Sequence, residues 1–424
     1  MNNKTLGNIF KGDKVIWMVF FFLCIISVVE VYSASSQLTY KGGNYLAPVV
    51  KHVGILILGI FCMVVTLNIK CKYFKIVTPF MLILSVIMLV WALIGGEDKN
   101  DAARWVGFMG IQFQPSEIAK GTLVLATAQI LSAMQTENGA DNHAFKYILV
   151  VCGFIVPLIV LENLSTAVLL CAVIFMMMLI GRVPMNQLGK LLGVVFLFVI
   201  IIFALTMIFG DAKAEEKTLA EKTEMVDGKK KNPTFGEKIF HRFDTWKSRI
   251  MKFTDKKEIA PEDVNLDDDG QVAHANIAIA SSNVVGKGPG NSIERDFLSQ
   301  AFSDFIYAII IEEMGITGAL LVAFLYIVLL FRTGRIANRC ENNFPAFLAM
   351  GLALLLVTQA LFNMCVAVGL VPVTGQPLPL ISKGGTSTMI NCIYVGVILS
   401  ISRSAKKKKE SDLEVLESTT LALA

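Results

Sequence analysis

Charged residues are scarce in this 424-residue sequence, and they are unevenly placed. They make up 17% of the chain, whereas an average soluble domain carries about 25%. Hydrophobic residues make up 54%. Of the 38 basic and 34 acidic residues, 32 fall between positions 211 and 303. The composition excludes an ordinary soluble enzyme and a disordered chain, and it indicates an apolar body with one polar insert.

The signatures of metal, nucleotide and nucleic-acid binding are also missing. The eight cysteines include no C-x-x-C pair, and the four histidines have no metal-ligand spacing. We therefore expect neither a zinc site nor a disulfide scaffold. No P-loop or dinucleotide fingerprint occurs. The basic residues lie at the ends of apolar runs rather than along one stripe, so no nucleic-acid partner is expected.

Ten apolar runs approach the roughly 20 residues that a helix needs to cross a bilayer. They cover residues 15–36, 47–69, 73–95, 117–134, 147–161, 166–181, 191–210, 304–331, 345–370 and 387–402. The fifth and sixth runs are read as two short spans, because one helix through both would overshoot the membrane. The first run is too long for a signal-peptide core and lacks a cleavage site, so we expect it to be retained. The fold predicted is an all-α polytopic membrane protein with ten transmembrane helices.

The basic residues of the short loops fall on one side of the membrane if there are ten spans. By the positive-inside rule, both termini are then cytoplasmic. The predicted organisation is a cytoplasmic tail (1–14), helices one to seven (15–210), a large extracytoplasmic loop (211–303), helices eight to ten (304–402) and a cytoplasmic tail (403–424). Within the loop, residues 211–270 are predicted to be solvated, and residues 271–303 to pack on the membrane domain.

The segment 114–120 carries a dense polar signal at an outer end. A helix start explains Glu117, which matches the helix dipole, and Ser116, which could serve as a cap. It does not explain Lys120, which opposes the dipole one turn deeper. Lys120 and Glu117 are three residues apart and can pair. With Arg104 nearby, the segment favours an anion-binding site over a simple helix start.

Asp304 opens the eighth run directly after the outer loop. One interpretation is a carboxylate that only caps the helix. The other is a general base at the edge between water and membrane. On a regular helix, Asp304, Ala308 and Ile311 would share one face, and Glu312 would lie ~80° away from it.

Three prolines between positions 372 and 379 prevent a regular helix after the ninth run. Irregular backbone at membrane depth is tolerated only against protein or a cavity. Gly384 and Gly385 follow, where backbone N–H groups could approach a ligand at a helix start. The alternative is a rigid re-entrant plug.

Three ionisable residues lie within the first two runs. We interpret Glu30, Lys51 and His52 as paired groups or as groups that reach the membrane interface.

The sequence resembles the shape, elongation, division and sporulation family, because segments typical of that family occur along the chain in the same order. The matching segments are Tyr32-Ser33-Ala34-Ser35, Arg104-Trp105, 114–120, 286–292, Ser303-Asp304, Glu312-Glu313, Asn363, 372–375, 377–379 and 382–387. Members of this family are ten-span enzymes that polymerise lipid II into peptidoglycan strands. Overall likeness favours the cell-division branch, FtsW, over the elongation branch, RodA.

The resemblance implies the roles of individual residues. Asp304 matches the catalytic aspartate, which would take the proton of an acceptor sugar hydroxyl in an inverting transfer. Arg104 and Lys120 would steady the charge on the leaving pyrophosphate. The residues expected to bind substrate are Arg104, Gln114, Ser116, Glu117, Lys120, Ser382, Lys383, Gly384 and Gly385, with Lys287 and Glu312 in support.

The resemblance also implies partners and a location. The partners are lipid II, a class B penicillin-binding transpeptidase, other division proteins and membrane lipids. The location is the bacterial cytoplasmic (inner) membrane at the division septum. No nucleotide is needed, because the lipid pyrophosphate is already the leaving group, and a divalent cation, Mg²⁺ or Mn²⁺, could share the pyrophosphate charge. A lipid II flippase, a non-catalytic scaffold of the division machinery and an elongation role are the alternatives.

The sequence departs from the family pattern in three places. Residues 299–302 read Ser-Gln-Ala-Phe where the family often has Pro-Glu-Ala-His. Lys383 replaces the usual tyrosine, and residues 162–166 lack the usual Pro-Asp pair. Roles of the missing residues therefore cannot be carried over.

Overall fold

The computed structural model describes residues 11–34, 47–95, 97–99, 102–108, 111–209, 247, 251, 270–298 and 302–423. Only the backbone is described at residues 34, 95, 97–99, 102–106, 108, 111–112, 198–199, 202–203, 208–209, 270 and 406–423.

Ten helices of the described chain correspond one to one to the ten apolar runs. They are α1 (Lys14–Ala34), α2 (Ala47–Asn68), α3 (Lys72–Gly95), α4 (Pro115–Ala133), α5 (Asn142–Glu162), α6 (Leu164–Ile180), α7 (Met185–Phe209), α9 (Ile306–Ala337), α10 (Asn343–Ala367) and α11 (Thr386–Leu423). Seven of them, α1, α2, α3, α5, α9, α10 and α11, are long and apolar enough to cross a membrane. The all-α polytopic membrane fold is confirmed, and the count of ten crossings stays a prediction.

The fifth and sixth runs form two helices that are separated by Asn163. Its side-chain oxygen accepts hydrogen bonds from the backbone N–H groups of Ser165 (3.0 Å) and Thr166 (3.4 Å), and so caps α6. Because a capping residue has non-helical backbone angles, α5 cannot continue into α6. The expected division into two short helices is confirmed.

Small residues let the helices approach closely at the centre of the bundle. A Cβ atom on Gly396 of α11 would lie 2.7 Å from the carbonyl oxygen of Met63 in α2, and one on Gly59 would lie 2.8 Å from Cys392 Sγ. Such contacts are typical of membrane helices, whose association depends on close packing. Large apolar side chains such as Phe61, Phe80 and Phe196 point outward and are exposed, as a surface facing lipid requires.

Five short strands accompany the helices in the described part of the chain, and they were not predicted. Strands β1 (Glu97–Lys99), β2 (Ala102–Phe108) and β3 (Ile111–Phe113) form an antiparallel sheet. It leads directly into α4, which begins at Pro115. Strands β4 (Gln135–Thr136) and β5 (Gly139–Ala140) form a hairpin between α4 and α5.

The end of the polar insert packs on the membrane domain. Helix α8 (Gly270–Ala280) buries Ala275 against Phe305 and Ile309 of the chain at the start of α9. This confirms the prediction for the described part of 271–303. Of residues 211–270, only 247, 251 and 270 are described, so the prediction of a solvated segment lies outside the described residues.

Helix α9 is broken at Gly315, where φ is 69° and ψ is −170°. The break brings the Tyr307 hydroxyl within 3.2 Å of the Ala319 carbonyl oxygen, to which it donates a hydrogen bond. The loop that follows α8 fits into the break. Gly286 (φ +83°) lies so close that a Cβ there would be 2.3 Å from the Glu313 carbonyl oxygen. The eighth run is therefore not one continuous helix, because α9 begins at Ile306 and turns at Gly315.

Three elements meet around Asp13 at one end of the bundle. Asp13, just before α1, forms a bidentate ion pair with Arg332 of α9 (2.9 and 3.0 Å from Nε; 2.8 Å from Nη2). The Asp13 backbone N–H also donates to Ser402 Oγ of α11. The start of α1, the end of α9 and the middle of α11 thus share one end of the bundle. Helix α11 continues beyond residue 402 through the segment predicted to be a tail.

Candidate functional site

Asp304 lies on a turn at residues 302–305, immediately before α9. Its side chain is partly buried, and Oδ1 accepts a hydrogen bond from Ser303 Oγ at 2.9 Å. The expectation that Asp304 shares a helical face with Ala308 and Ile311 is wrong. The helix starts two residues later, so the periodicity of a helix does not apply to Asp304.

Two amides of α10 connect this turn to the rest of the site. Asn363 Nδ2 donates to the carbonyl oxygens of Asp304 (2.8 Å) and Gln376 (2.7 Å). One helical turn away, Gln359 Nε2 donates to the Pro377 carbonyl oxygen (3.0 Å), and Gln359 Oε1 accepts from Lys120 Nζ (2.8 Å). Both amide side chains are almost completely buried. The chain of contacts joins the predicted catalytic turn, the proline-rich loop and α4.

Glu117 and Lys120 form the ion pair that their spacing predicts. Lys120 Nζ lies 2.7 Å from Glu117 Oε1, and the side chains are 1% and 3% exposed, respectively. Tyr394 of α11 donates a hydrogen bond to the Glu117 carbonyl oxygen at 2.7 Å. The pair therefore joins α4 to α10 and α11. Glu117 neutralises the ammonium group of Lys120, and both side chains are almost completely buried. The role of Lys120 as an anion ligand therefore stays a prediction.

The other residues of this segment do not all take their predicted places. Gln114, not Ser116, is the residue that precedes the first helical position of α4, and it provides no side-chain cap. Ser116 lies inside the helix and is buried, and in the described part of the chain its hydroxyl has no hydrogen-bond partner. The capping role suggested for Ser116 is therefore wrong. Arg104 lies in β2, and its side chain is outside the described residues.

The proline-rich loop between α10 and α11 also holds the Asp304 turn in place. Ser382 Oγ accepts from the Leu378 N–H (2.8 Å) and donates to the Ser303 carbonyl oxygen (2.6 Å). The Lys383 N–H donates to the Phe302 carbonyl oxygen at 2.9 Å. The loop is largely buried against protein, as irregular backbone in a membrane domain requires. Ser382 thus acts through the backbone of the turn, while Lys383, Gly384 and Gly385 remain partly exposed.

Lys287 and Glu312 pair with each other at 2.6 Å. The Glu312 carboxylate is fully buried and also accepts hydrogen bonds from Ser292 Oγ and the Ile293 N–H (3.1 Å). Both residues therefore anchor the loop after α8 to α9. Neither makes a described contact with the Asp304 side chain, so their supporting role in substrate binding stays a prediction.

Several residues that organise the site were not predicted. Gln359 and Asn363 are the amides just described; Asn363, like Glu313, was predicted only as part of a segment that matches the family. Glu313 is a further buried acid, which accepts from the Gly290 N–H (2.9 Å) and from Ser33 Oγ and lies 3.8 Å from Arg295 Nη1. A polar residue within a long apolar run is the signal that could have identified them.

Comparison with known proteins identifies the family. A family model described as "Cell cycle protein" (FtsW, RodA, SpoVE) matches residues 13–227 and 234–407. The chain is 26% identical over 416 residues to a protein named probable peptidoglycan glycosyltransferase FtsW of Enterococcus hirae, covering 96% of this chain and 97% of that one. It is 25% identical over 414 residues to peptidoglycan glycosyltransferase MrdB of Escherichia coli strain K12, covering 97% and 98%.

The fold is also found in solved structures. A chain of a peptidoglycan synthase complex, described as coordinating polymerization and crosslinking, superposes with a TM-score of 0.67 at 20% identity, and the match covers 93% of this chain and 98% of that one. The match of the family model over nearly the whole length agrees with the resemblance of the motifs. This multi-pass membrane protein belongs to the FtsW, RodA and SpoVE family.

Proposed function

We propose that this glycosyltransferase polymerises lipid II into β-1,4-linked glycan strands and releases polyprenyl pyrophosphate, in septal wall synthesis during cell division. The relatives named above are peptidoglycan glycosyltransferases of both branches. The chain is 26% identical to the FtsW relative and 25% identical to the MrdB relative, so sequence identity does not distinguish a septal role from a side-wall role. The septal assignment rests on the overall likeness of the sequence, and complementation of a division mutant against an elongation mutant tests it.

One observation carries the catalytic proposal. Among the acids predicted at the site, Asp304 is partly exposed, whereas Glu117 and Glu312 are buried and ion-paired. A general base must reach the proton that it removes. Asp304 also lies on a turn whose carbonyl oxygens accept hydrogen bonds from Asn363, Ser382 and Lys383. A base held by its backbone on a buried scaffold keeps its position during the reaction.

The reaction follows from this placement. The acceptor hydroxyl oxygen forms a bond to the anomeric carbon of the donor sugar while its proton moves to the Asp304 carboxylate. The bond from that carbon to the pyrophosphate breaks, and the leaving group takes the electron pair. One base and one displacement invert the configuration, so an α-linked donor gives a β-link. The Glu117–Lys120–Gln359 contacts support this site from within the bundle.

No step of the proposed reaction is assigned to a divalent cation. Among the described side chains, no group of three His, Cys, Asp or Glu residues could hold a metal ion. Mg²⁺ is commonly bound by one or two carboxylates together with substrate phosphates, so a requirement for Mg²⁺ or Mn²⁺ would reflect the bound donor. Polymerisation with added chelator, followed by each metal, tests this directly.

The test of the catalytic proposal is Asp304→Asn in the purified, reconstituted protein. With lipid II as substrate, we expect the variant to fold as wild type does and to form no glycan polymer. Glu137→Gln, an exposed acid in the β4–β5 turn, is the matched control and should polymerise normally. Wild-type rates in Asp304→Asn would refute the assignment. Fluorescent lipid II in liposomes, scored for both polymer and translocation, separates a polymerase from a flippase, and a scaffold would show neither.

We also propose a class B penicillin-binding transpeptidase as partner, together with other division proteins, and the bacterial cytoplasmic (inner) membrane at the septum as location. The apolar helices support a membrane location. The structural relative that couples polymerization and crosslinking supports such a partner. Co-purification of the tagged chain with the transpeptidase, and imaging of a fluorescent fusion, test the two points.

A further inference from the structure

Two lysines near the Asp304 turn have no acidic partner among the described residues. Lys51 of α2 is exposed, and Lys383 is half-buried with its ammonium group 4.8 Å from the Phe302 ring centroid. In the described part of the chain, neither forms an ion pair with an acid. Burial, and then the charge of Lys51, lower the pKa of Lys383. Two cations that approach each other without a carboxylate create a site where an anion is favoured.

The start of α11 adds hydrogen-bond donors to this pair. The first backbone N–H groups of a helix have no partner within the helix and carry partial positive charge. The hydroxyls of Thr386 and Ser387, 8% and 5% exposed, have no hydrogen-bond partner among the residues that the structure describes. Gly385 precedes them with φ +55°, and a Cβ built there would meet no atom within 4 Å. Unsatisfied buried hydroxyls next to open space, at a helix N-terminus, point to a missing acceptor.

This cluster lies beside the predicted base. The Lys383 N–H donates to the carbonyl oxygen of Phe302, two residues before Asp304. Lys120, by contrast, is buried and already neutralised by Glu117. In this conformation, Lys383 and Lys51 are therefore available to bind an anion next to the reacting sugar, whereas the charge of Lys120 is already neutralised.

An apolar groove lies on the helices that adjoin the cluster. Ser27 of α1 donates a hydrogen bond to the Ile381 carbonyl oxygen (2.6 Å) and lies 2.8 Å from His52 Nε2 of α2. About one helical turn from this contact, α1 and α2 form a groove of about 310 Å³. It is lined by Phe21, Cys24, Ile25, Val28, Val29 and Leu56. A lipid chain could enter this groove while its head group stays at the lysines.

We propose that Lys51, Lys383, and the Thr386 and Ser387 hydroxyls with the N-terminus of α11 bind the diphosphate of the lipid-linked donor, and that the α1–α2 groove takes the start of its polyprenyl chain. The proposal rests on the proposed function for the identity of the donor. It assigns the leaving group to residues of α2 and α11 rather than to the Glu117–Lys120 pair. Positive charge placed there stabilises the negative charge that develops as the diphosphate leaves.

Direct binding to the purified full-length chain tests the site without polymerisation. Farnesyl diphosphate, farnesyl monophosphate and inorganic pyrophosphate are titrated against the protein in detergent, and affinities are measured by microscale thermophoresis. We expect farnesyl diphosphate to bind more tightly than either other probe. Lys383→Gln and Lys51→Gln should each weaken its binding about tenfold or more, because charge-assisted hydrogen bonds are lost. Lys383→Arg should retain most of the affinity.

The control variants distinguish a diphosphate site from a general effect of charge and from a phospholipid site. Lys190→Gln removes an exposed lysine with no described partner on α7 and should bind as wild type does. Asp304→Asn should bind the diphosphate normally while failing to polymerise. Wild-type affinity in both lysine variants would overturn the site. Equal binding of monophosphate and diphosphate would also overturn it and indicate a phospholipid head-group site. Diphosphate binding in a chain that forms no glycan would refute the proposed function and leave the anion site standing.

Discussion

Asn363 Nδ2 lies 2.8 Å from the carbonyl oxygen of Asp304 and 2.7 Å from that of Gln376. One buried amide thus joins the turn that carries the predicted base to the proline-rich loop. An unpaired buried polar group is costly, so both backbone segments are held in one arrangement as long as Asn363 is present.

Asn363→Ala should lower the turnover number by about 100-fold, the loss expected when a catalytic group is misplaced by ~1 Å. The Michaelis constant for lipid II should change little, because the amide holds the turn and touches no substrate. Steady-state polymerisation by the purified variant measures both constants.

The double variant Asn363→Ala/Asp304→Asn distinguishes positioning from a general loss of stability. If Asn363 acts through Asp304, adding its substitution to Asp304→Asn should cause no further loss. If the two substitutions lower the turnover number independently, so that their effects multiply, Asn363 does not act through Asp304.

Lys120→Ala should be strongly destabilising. Removing one partner of a buried ion pair leaves the Glu117 charge unpaired and costs about 3–5 kcal/mol. The apparent melting temperature in detergent should fall, and activity should be largely lost. Lys146→Ala, an exposed lysine on α5, is the control and should melt as wild type does.

A second variant separates stability from chemistry at this pair. Glu117→Gln/Lys120→Met replaces both charges with groups of similar volume, and such replacements of buried pairs are often tolerated. If it melts near the wild-type temperature but remains inactive, Lys120 contributes to the reaction. Full activity would limit the pair to a structural role.

The sequence predicted the helices because hydrophobic length is a local property. The break between α5 and α6 and the Glu117–Lys120 pair were also predictable, since each depends on residues a few positions apart. The Gln359 and Asn363 contacts were not, because nothing in a helical run shows which distant carbonyl oxygen an amide will reach. Likewise, the contact between Gly286 and Gly315 joins two segments that share no local pattern.

Gly315→Ala should disrupt the docking of the loop after α8. The backbone at Gly315 has φ +69°, and an added Cβ would lie 2.4 Å from the Val284 carbonyl oxygen. A strained backbone of this kind costs about 1–3 kcal/mol, and the clash adds to this. We expect a lower melting temperature and reduced polymerisation, because the segment between Gly315 and Asp304 loses its support.

Gly334→Ala is the matched control in the same helix. A Cβ there would meet no atom within 4 Å, and alanine is the better helix former. Its melting temperature should be unchanged or slightly higher. Equal behaviour of the two variants would contradict a special role for the break at Gly315.

Asp13→Asn should weaken the opposite end of the bundle without affecting the reaction. Asp13 pairs with Arg332 through two oxygens and also accepts from the Val15 N–H at the start of α1. Hydrogen bonds to charged groups contribute about 1.5–3 kcal/mol, so the melting temperature should fall by a few degrees. Because these contacts lie at the end of the bundle away from Asp304, the polymerisation rate per folded molecule should match wild type.

Arg339→Gln, which removes an exposed arginine at the same end, is the control and should leave both the melting temperature and the polymerisation rate unchanged. A loss of turnover in Asp13→Asn at normal stability would show that the two ends of the bundle are coupled.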